Sequence, residues 1–245
     1  MSHYSQEKFV EVTTNYLKKN IRNFNKLSVL DIGSINLNGS SKKFFGNDYF
    51  GIDLINGPNV DMVLDGQNLH KLKKKFDIII SCEVFEHASN WKKIFQAMFD
   101  NLKSSGIIIF SCASTGRLEH GTNRTNPAEG GLPTNYYKNL TSKDFKKNFD
   151  LNRMFKKFYF FYNFYSHDLY FVGFKEKNYF YKDDNMYQKD VKKIKSDTNI
   201  IFYKRLLYSH LMSDKLYQNF RFLRRKIMNF RFLRQKIMNF ILLKK

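Results

Sequence analysis

Three histidines and a carboxylate stand where a bound molecule could exchange a proton. Glu83 and His87 lie in CEVFEH, His120 in RLEHGTNRT and His167 in HDLYFVGFK. Imidazole gives and takes protons near neutral pH, and a neighbouring carboxylate can orient it. Arg124 carries a planar fork suited to a carboxylate or phosphate on an acceptor. Asp168 adjoins His167, and Tyr136 and Tyr137 could wall an acceptor site. Each residue also has a plainer reading. His87 would brace a turn, Arg124 would solubilise a loop, His167 and Asp168 would start a strand, and the tyrosines would bury a loop. Glu83, His87, His120 and His167 do not form a compact ligand motif such as His-Glu-x-x-His, so no metal is expected.

A second set of residues closes successive apolar runs. Asp31, Gly33 and Ser34 end VLDIGS, Asp53 ends YFGID, and Asp65, Gly66 and Gln67 follow VL; Cys82 ends FDIIISC. Their placement requires strands. LSVLDI, DYFGIDL, NVDMVLD, FDIIISC and GIIIFSCAS read as five of them. Helical patterns separate most of these runs, notably NWKKIFQAMFDNLKSSG, which is expected to stop at Gly106. Another helix is predicted over residues 5–21, where Phe9, Val10, Thr13, Tyr16 and Leu17 share a face. Such alternation implies a parallel sheet with right-handed crossovers. KKFYFFYNF and HDLYFVGFK, lacking a long helix between them, suggest an antiparallel pair at one side.

In an open α/β sheet, ligands bind beyond the carboxyl ends of the strands. Gly33 permits close backbone approach there. Asp53 could accept from the paired hydroxyls of a ribose, and the Asp65–Gln67 turn could border adenine. A dinucleotide fingerprint requires further glycines soon after Gly33, but Ser34, Ile35 and Asn36 follow. That disfavours an NAD-dependent oxidoreductase.

VLDIGS, YFGIDL, VLDG, FDIIISCEVFEH and LKSSGIIIFS together resemble the class I S-adenosylmethionine-dependent methyltransferases over about residues 26–177. The resemblance implies an α/β, doubly wound, mostly parallel seven-stranded sheet, the Rossmann-like methyltransferase fold. It also implies S-adenosylmethionine as cofactor, with Asp31, Gly33 and Ser34 near its methionine part and Asp53 on its ribose. Asp65, Gly66 and Gln67 would border adenine. Cys82, Glu83 and Val84 would line the methyl-transfer side. The loop GSINLNGS departs from the Gly-x-Gly step of many members. FEH, HGTNRTNP, NYYKNL and HDLYFVGFK resemble a branch associated with glycan or small-molecule modification. A small-molecule or glycan acceptor is therefore expected under a loop spanning 116–140. The sulfonium already makes its methyl group electrophilic, so the transfer requires mainly orientation, with general-base help where the acceptor must lose a proton, and no metal. A noncatalytic nucleotide-binding or interaction module and an RNA methyltransferase are the alternatives.

The formal charge of +20 is concentrated towards one end, since residues 215–245 hold ten Lys/Arg and no Asp/Glu. This weakens a nucleic-acid reading, which would place charge across the catalytic unit. In that region NFRFLRRKIM returns as NFRFLRQKIM. Phe and Leu interleaved with Arg and Lys fit an anionic membrane surface, or alternatively a protein partner. Cys82 and Cys112 read as buried thiols of a reducing compartment. With no secretory pattern at the start and no long apolar run, a cytoplasmic protein with peripheral membrane attachment is expected. The divisions are an N-terminal helical part of the catalytic unit over 1–25, its core over 26–177, a polar linker over 178–198 and a basic helical tail over 199–245.

Overall fold

A computed structural model describes residues 4–37, 39–46, 48–125, 132, 134–176 and 184–194. The basic repeat and the tail's predicted helix lie outside them. Helix α1 (Tyr4–Asn20) precedes β1 (Val29–Ile32), β2 (Tyr49–Asp53), β3 (Met62–Val63) and β4 (Phe76–Cys82). Then come α2 (Trp91–Asp100), β5 (Leu102–Ala113), α3 (Ser142–Asn148), α4 (Leu151–Met154), β6 (Lys157–Asn163), β7 (Asp168–Phe174) and α5 (Asp184–Lys192). The sheet order is β3-β2-β1-β4-β5-β7-β6. The first five strands run parallel, while β7 is antiparallel to both β5 and β6. Strand order reverses between β1 and β4, and the crevice beyond that pair is where such a sheet receives a ligand.

Both faces of the sheet are covered. Successive side chains point to opposite faces, so Ile78 and Ile80 of β4 join Val29, Phe9 and Leu17 under α1. Ile79 faces the other way and joins Leu30, Ile32, Phe95, Phe110, Phe145 and Phe171 beneath α2 and α3. The second layer is rich in rings; Phe110 stacks between Phe145 and Phe171 at centroid distances of 4.7 and 4.9 Å. Burying such a side chain contributes about 1.5–3 kcal/mol. This explains why a sequence crowded with phenylalanine still makes ordered layers.

Several local expectations shift. The helix predicted to run to Gly106 ends at Asp100, and LKSSG opens β5 instead, with Leu102 opposite Phe76. Leu102 is completely buried, so tertiary burial outweighs the helical pattern there. NGSSKKFF and QNLHKLKKK contain only 3-10 turns, Ser41–Phe44 and Gly66–Leu72, started by the Ser40 and Asp65 side chains. Part of the polar stretch 178–198 is helix α5. Its Tyr187 stacks on Tyr16 at 4.4 Å and hydrogen bonds with Thr13 at 3.1 Å, so the packed body passes residue 177. Among the described residues no helix is long and apolar enough to cross a membrane.

Candidate functional site

The turn after β1 is held against its neighbours. Gly33 and Ser34 backbone N–H groups both donate to Ile52 O, at 2.9 and 3.1 Å. Gly33 has φ of 78°, and a Cβ there would stand 2.3 Å from Val84 Cγ2. A side chain would therefore collide with the turn after β4, and glycine is required on both backbone and steric grounds. Ser34 donates to Asn59 O at 2.9 Å. Together with Val10 of α1, Ser41 and Cys82, this turn lines a cleft. Burial pushes the Cys82 thiol up to about 12, so it is a wall rather than a thiolate nucleophile.

The carboxylates predicted at the strand ends have internal partners. Asp31 is buried and accepts from Ser41 Oγ at 2.7 Å and from Tyr49 OH. Burial raises its pKa to about 6 against the opposing effect of both hydroxyls. Asp31 thus anchors the 39–46 segment beside the cleft. Asp53 accepts from the N–H groups of Ile35 at 3.1 Å and Leu54 at 2.7 Å, tying the turns after β1 and β2 together. A carboxylate has about four acceptor sites, which leaves capacity for hydroxyl donors. Asp65 accepts from Gln67 twice, through its backbone N–H at 3.0 Å and its Nε2 at 2.8 Å. The pair caps the turn, and Gly66 is buried against Ile32 and Ile94.

The residue after Cys82 begins the second half of the site. Glu83 has φ of 58°, a conformation costing about 1–3 kcal/mol for a non-glycine residue. Its backbone is held by Glu83 N–H donating to Ser111 O at 3.0 Å. Its side chain meets Gln6 of α1, lies 3.0 Å from His120 Nε2 and is 3.6 Å from the Arg117 guanidinium. Arg117 also donates to Ser166 O at 2.9 Å and approaches Asp168 at 3.9 Å. The other nitrogen of His120, Nδ1, lies 3.0 Å from Leu118 O and 3.2 Å from Tyr137 OH. Oxygen atoms therefore flank both sides of this ring.

His87 sits on the short 3-10 turn Phe85–His87, and its ring meets those of His120 and Tyr137 edgewise at 5.1 and 5.3 Å. Burial first, then His120, lowers its pKa to about 4, making it a neutral imidazole near neutral pH. Glu86 is fully buried, and its Oε1 accepts from Ala113 N–H at 2.9 Å. Burial, and then the charge of Glu83, hold the Glu86 carboxyl well above the ordinary range. Ligand atoms of Glu86, His87 and His120 lie within 4.8 Å of one another. The sequence spacing did not anticipate this grouping, because two members are adjacent in the chain and the third is brought by the loop after β5.

Glu83, His87, His120, Tyr137 and, through Arg117, Asp168 thus share one region. Arg124 does not join it by any described contact: the side chain is exposed, pairs with Glu119 at 2.7 Å and donates to Asn135 O at 2.6 Å. It braces its loop. Tyr136 is half-buried, and its N–H donates to Thr134 Oγ at 3.0 Å. His167 has φ of 58° and turns its Nδ1 to Tyr162 OH at 2.9 Å and Thr115 O at 3.1 Å, a strand-start role. Arg117, Glu86 and Gln6 were missed as site residues. Gln6 lies three and four residues before Phe9 and Val10, on the apolar stripe of α1, and a polar residue there signals a buried partner.

Residues 1–165 match a family model described as a methyltransferase domain. No curated protein matches the chain. Among solved structures, the CurJ carbon methyltransferase is 15% identical with a TM-score of 0.51, the match covering 70% of this chain and 54% of that one. The plantazolicin methyltransferase BamL, solved with a triazolic desmethylPZN analog and SAH, is 20% identical with a TM-score of 0.51, covering 71% and 86%. The chain thus spans about half the length of CurJ and most of BamL. The strand order, the glycine turn against β4 and the matched family model agree: the chain belongs to the methyltransferase-domain family and has the class I fold of the S-adenosylmethionine-dependent enzymes.

Proposed function

We propose that this chain transfers a methyl group from S-adenosylmethionine to a small-molecule acceptor, a sugar or glycan among them. The observation that carries the reading is the direct continuity of two half-sites. Cys82 lines the cleft beside Gly33, and the next residue, Glu83, begins the cluster with His120 and Arg117. Support for the cofactor reading comes from the turn after β1, which lines the cleft with Ser41 and Cys82 and which only glycine at 33 lets pack on Val84. Gly33 and Ser34 would border the methionine part, Asp53 would accept from the ribose hydroxyls, and Asp65–Gln67 would border adenine. When bound, S-adenosylmethionine supplies a methyl group made electrophilic by the sulfonium.

The chain's own residues orient the acceptor and exclude water. Glu83 and His120 stand ready to take the acceptor's proton, while Tyr137 packs on His120 and fixes its ring. Arg117 and Gln6 hold Glu83 in place. The loop over 116–140 brings His120 and Tyr137 to this wall, which a small acceptor can fill. Calorimetry with S-adenosylmethionine tests the first half of the reading. A labelled-methyl screen of purified protein against fractionated cell extract tests the second. Label entering a small molecule or glycan supports the proposal, and label entering only RNA, DNA or protein rejects it.

A further inference from the structure

We propose that Glu86, His87 and His120, with Glu83 beside them, form a binding site for one first-row divalent cation of the Mn²⁺, Co²⁺ or Zn²⁺ kind. Ligand atoms of Glu86, His87 and His120 already lie within 4.8 Å of one another, and Glu83 Oε2 lies 3.0 Å from His120 Nε2. Donors at about 2.0–2.2 Å from a single ion in a tetrahedral array stand about 3.3–3.6 Å apart, so closure requires side-chain movements of about 1 Å. A second observation points to a ligand. Glu86 Oε2 and His87 Nδ1 are buried and have no hydrogen-bond partner among the described residues. Leaving such an atom unpaired costs about 1–3 kcal/mol, and here two orphans belong to neighbouring members of one cluster.

The surrounding contacts resemble those that orient metal ligands. Glu86 offers one oxygen because the other is held by Ala113 N–H at 2.9 Å. Tyr137 OH and Leu118 O, at 3.2 and 3.0 Å from His120 Nδ1, fix that ring and leave Nε2 towards Glu83. An entering cation replaces two protons, the one held between Glu83 and His120 and the one that burial and Glu83 keep on the Glu86 carboxyl; both leave to solvent, and the three residues become donors. Two imidazoles and two carboxylates make a mixed nitrogen–oxygen set that suits first-row transition ions better than Ca²⁺. Two carboxylate charges offset the ion, and Arg117, 3.6 Å from Glu83, leaves the site with one net positive charge.

Cation binding stands independently of the acceptor. Its use rests on the proposed methyl transfer: a cation here would hold an acceptor oxygen at the methyl-transfer wall and ease loss of its proton. It would not activate the methyl group, for which the sulfonium suffices. Sites of this kind suit an acceptor with an oxygen, such as a hydroxyl, at the methylated position.

The test uses the full chain, stripped with chelator, dialysed and titrated with Mn²⁺ alone, with bound and free ion separated by electron paramagnetic resonance. Repeat titrations use Co²⁺ and Zn²⁺ by calorimetry. One saturable ion per chain is expected, with affinity lowered at least tenfold by Glu86→Gln, His87→Asn and His120→Asn and unchanged by His70→Asn, an exposed histidine. S-adenosylhomocysteine binding by each variant shows that the fold is retained. Saturable uptake by a chain that methylates nothing supports the site and defeats the proposed activity alone. Absence of saturable uptake of all three ions overturns the site, as does parental affinity in the folded Glu86 and His87 variants.

Discussion

Nε2 of His120 lies 3.0 Å from Oε2 of Glu83, although 37 residues separate them in the chain. Glu83 is fixed at the end of β4, while His120 arrives on the loop after β5. The contact joins the end of β4 to the segment that follows β5.

If this pair serves proton removal, Glu83→Gln and His120→Ala should each lower the turnover rate by about 10²–10⁴-fold. Affinity for S-adenosylhomocysteine should change less than about threefold, because neither side chain is assigned to the cofactor. Single-turnover methylation compared with calorimetry separates the two effects. Equal losses in binding and turnover would place the pair in the cofactor site instead.

Asp53→Ala should weaken S-adenosylhomocysteine binding by about 10–100-fold, corresponding to about 1.4–2.8 kcal/mol. Its two observed bonds, to Ile35 and Leu54 N–H groups, leave lone pairs for a ribose. Calorimetry of this variant beside the parent measures the effect. An unchanged affinity would restrict Asp53 to bracing the turns.

Gly33→Ala combines a positive φ with a Cβ 2.3 Å from Val84 Cγ2. The strain should destabilise the fold by about 1–3 kcal/mol and, by moving Val84, weaken cofactor binding as well. Denaturant melts with and without S-adenosylhomocysteine give both numbers. A stability equal to the parent's would mean that the turn relaxes freely.

Two aspartates should act in opposite pH windows. Asp77 accepts from Ser28 and pairs with Lys103 at 2.7 Å; although burial opposes them, these partners hold its pKa below the ordinary value. Its contribution is present above about pH 4 and is lost as pH falls through the depressed folded value. Asp31, raised to about 6 by burial, works the other way. The fold binds its proton more tightly than the unfolded chain does, so stability declines as pH rises from about 4 to 6. Urea melts across pH should show Asp77→Asn losing part of the acid-side slope and Asp31→Asn losing the decline. Identical profiles for parent and variants would refute both assignments.

The basic repeat supports a separate expectation, peripheral attachment to anionic membranes. Vesicle sedimentation should show the full chain binding anionic but not neutral lipid, less strongly at high salt. A chain ending at Asp214 should lose this binding. Equal sedimentation of both chains would reject the tail as an anchor, and a defined oligomer formed by the full chain alone would favour a protein partner.

By itself the sequence determined the layered sheet and the polar turns at the carboxyl ends of its first strands. The continuous apolar run in FDIIISC, the apolar runs ending in Asp31 and Asp53, and the glycine of VLDIGS are local signals. A strand's two faces and a turn's steric demand are written within a few adjacent residues. It also named most of the second half-site, namely Glu83, His87, His120 and Tyr137. Only the tertiary structure decided which of them meet. Arg124 pairs within its own loop and His167 turns to Thr115, whereas Arg117 bridges Glu83 and Asp168. The gathering of Glu86 with His87 and His120 was equally hidden. Those contacts depend on where the long segment after β5 folds back over the end of β4. That path is set by burial of Leu118 and Leu140 and by the Leu140 N–H bond to Ala113 O at 2.9 Å, interactions between residues far apart in sequence that no local periodicity encodes.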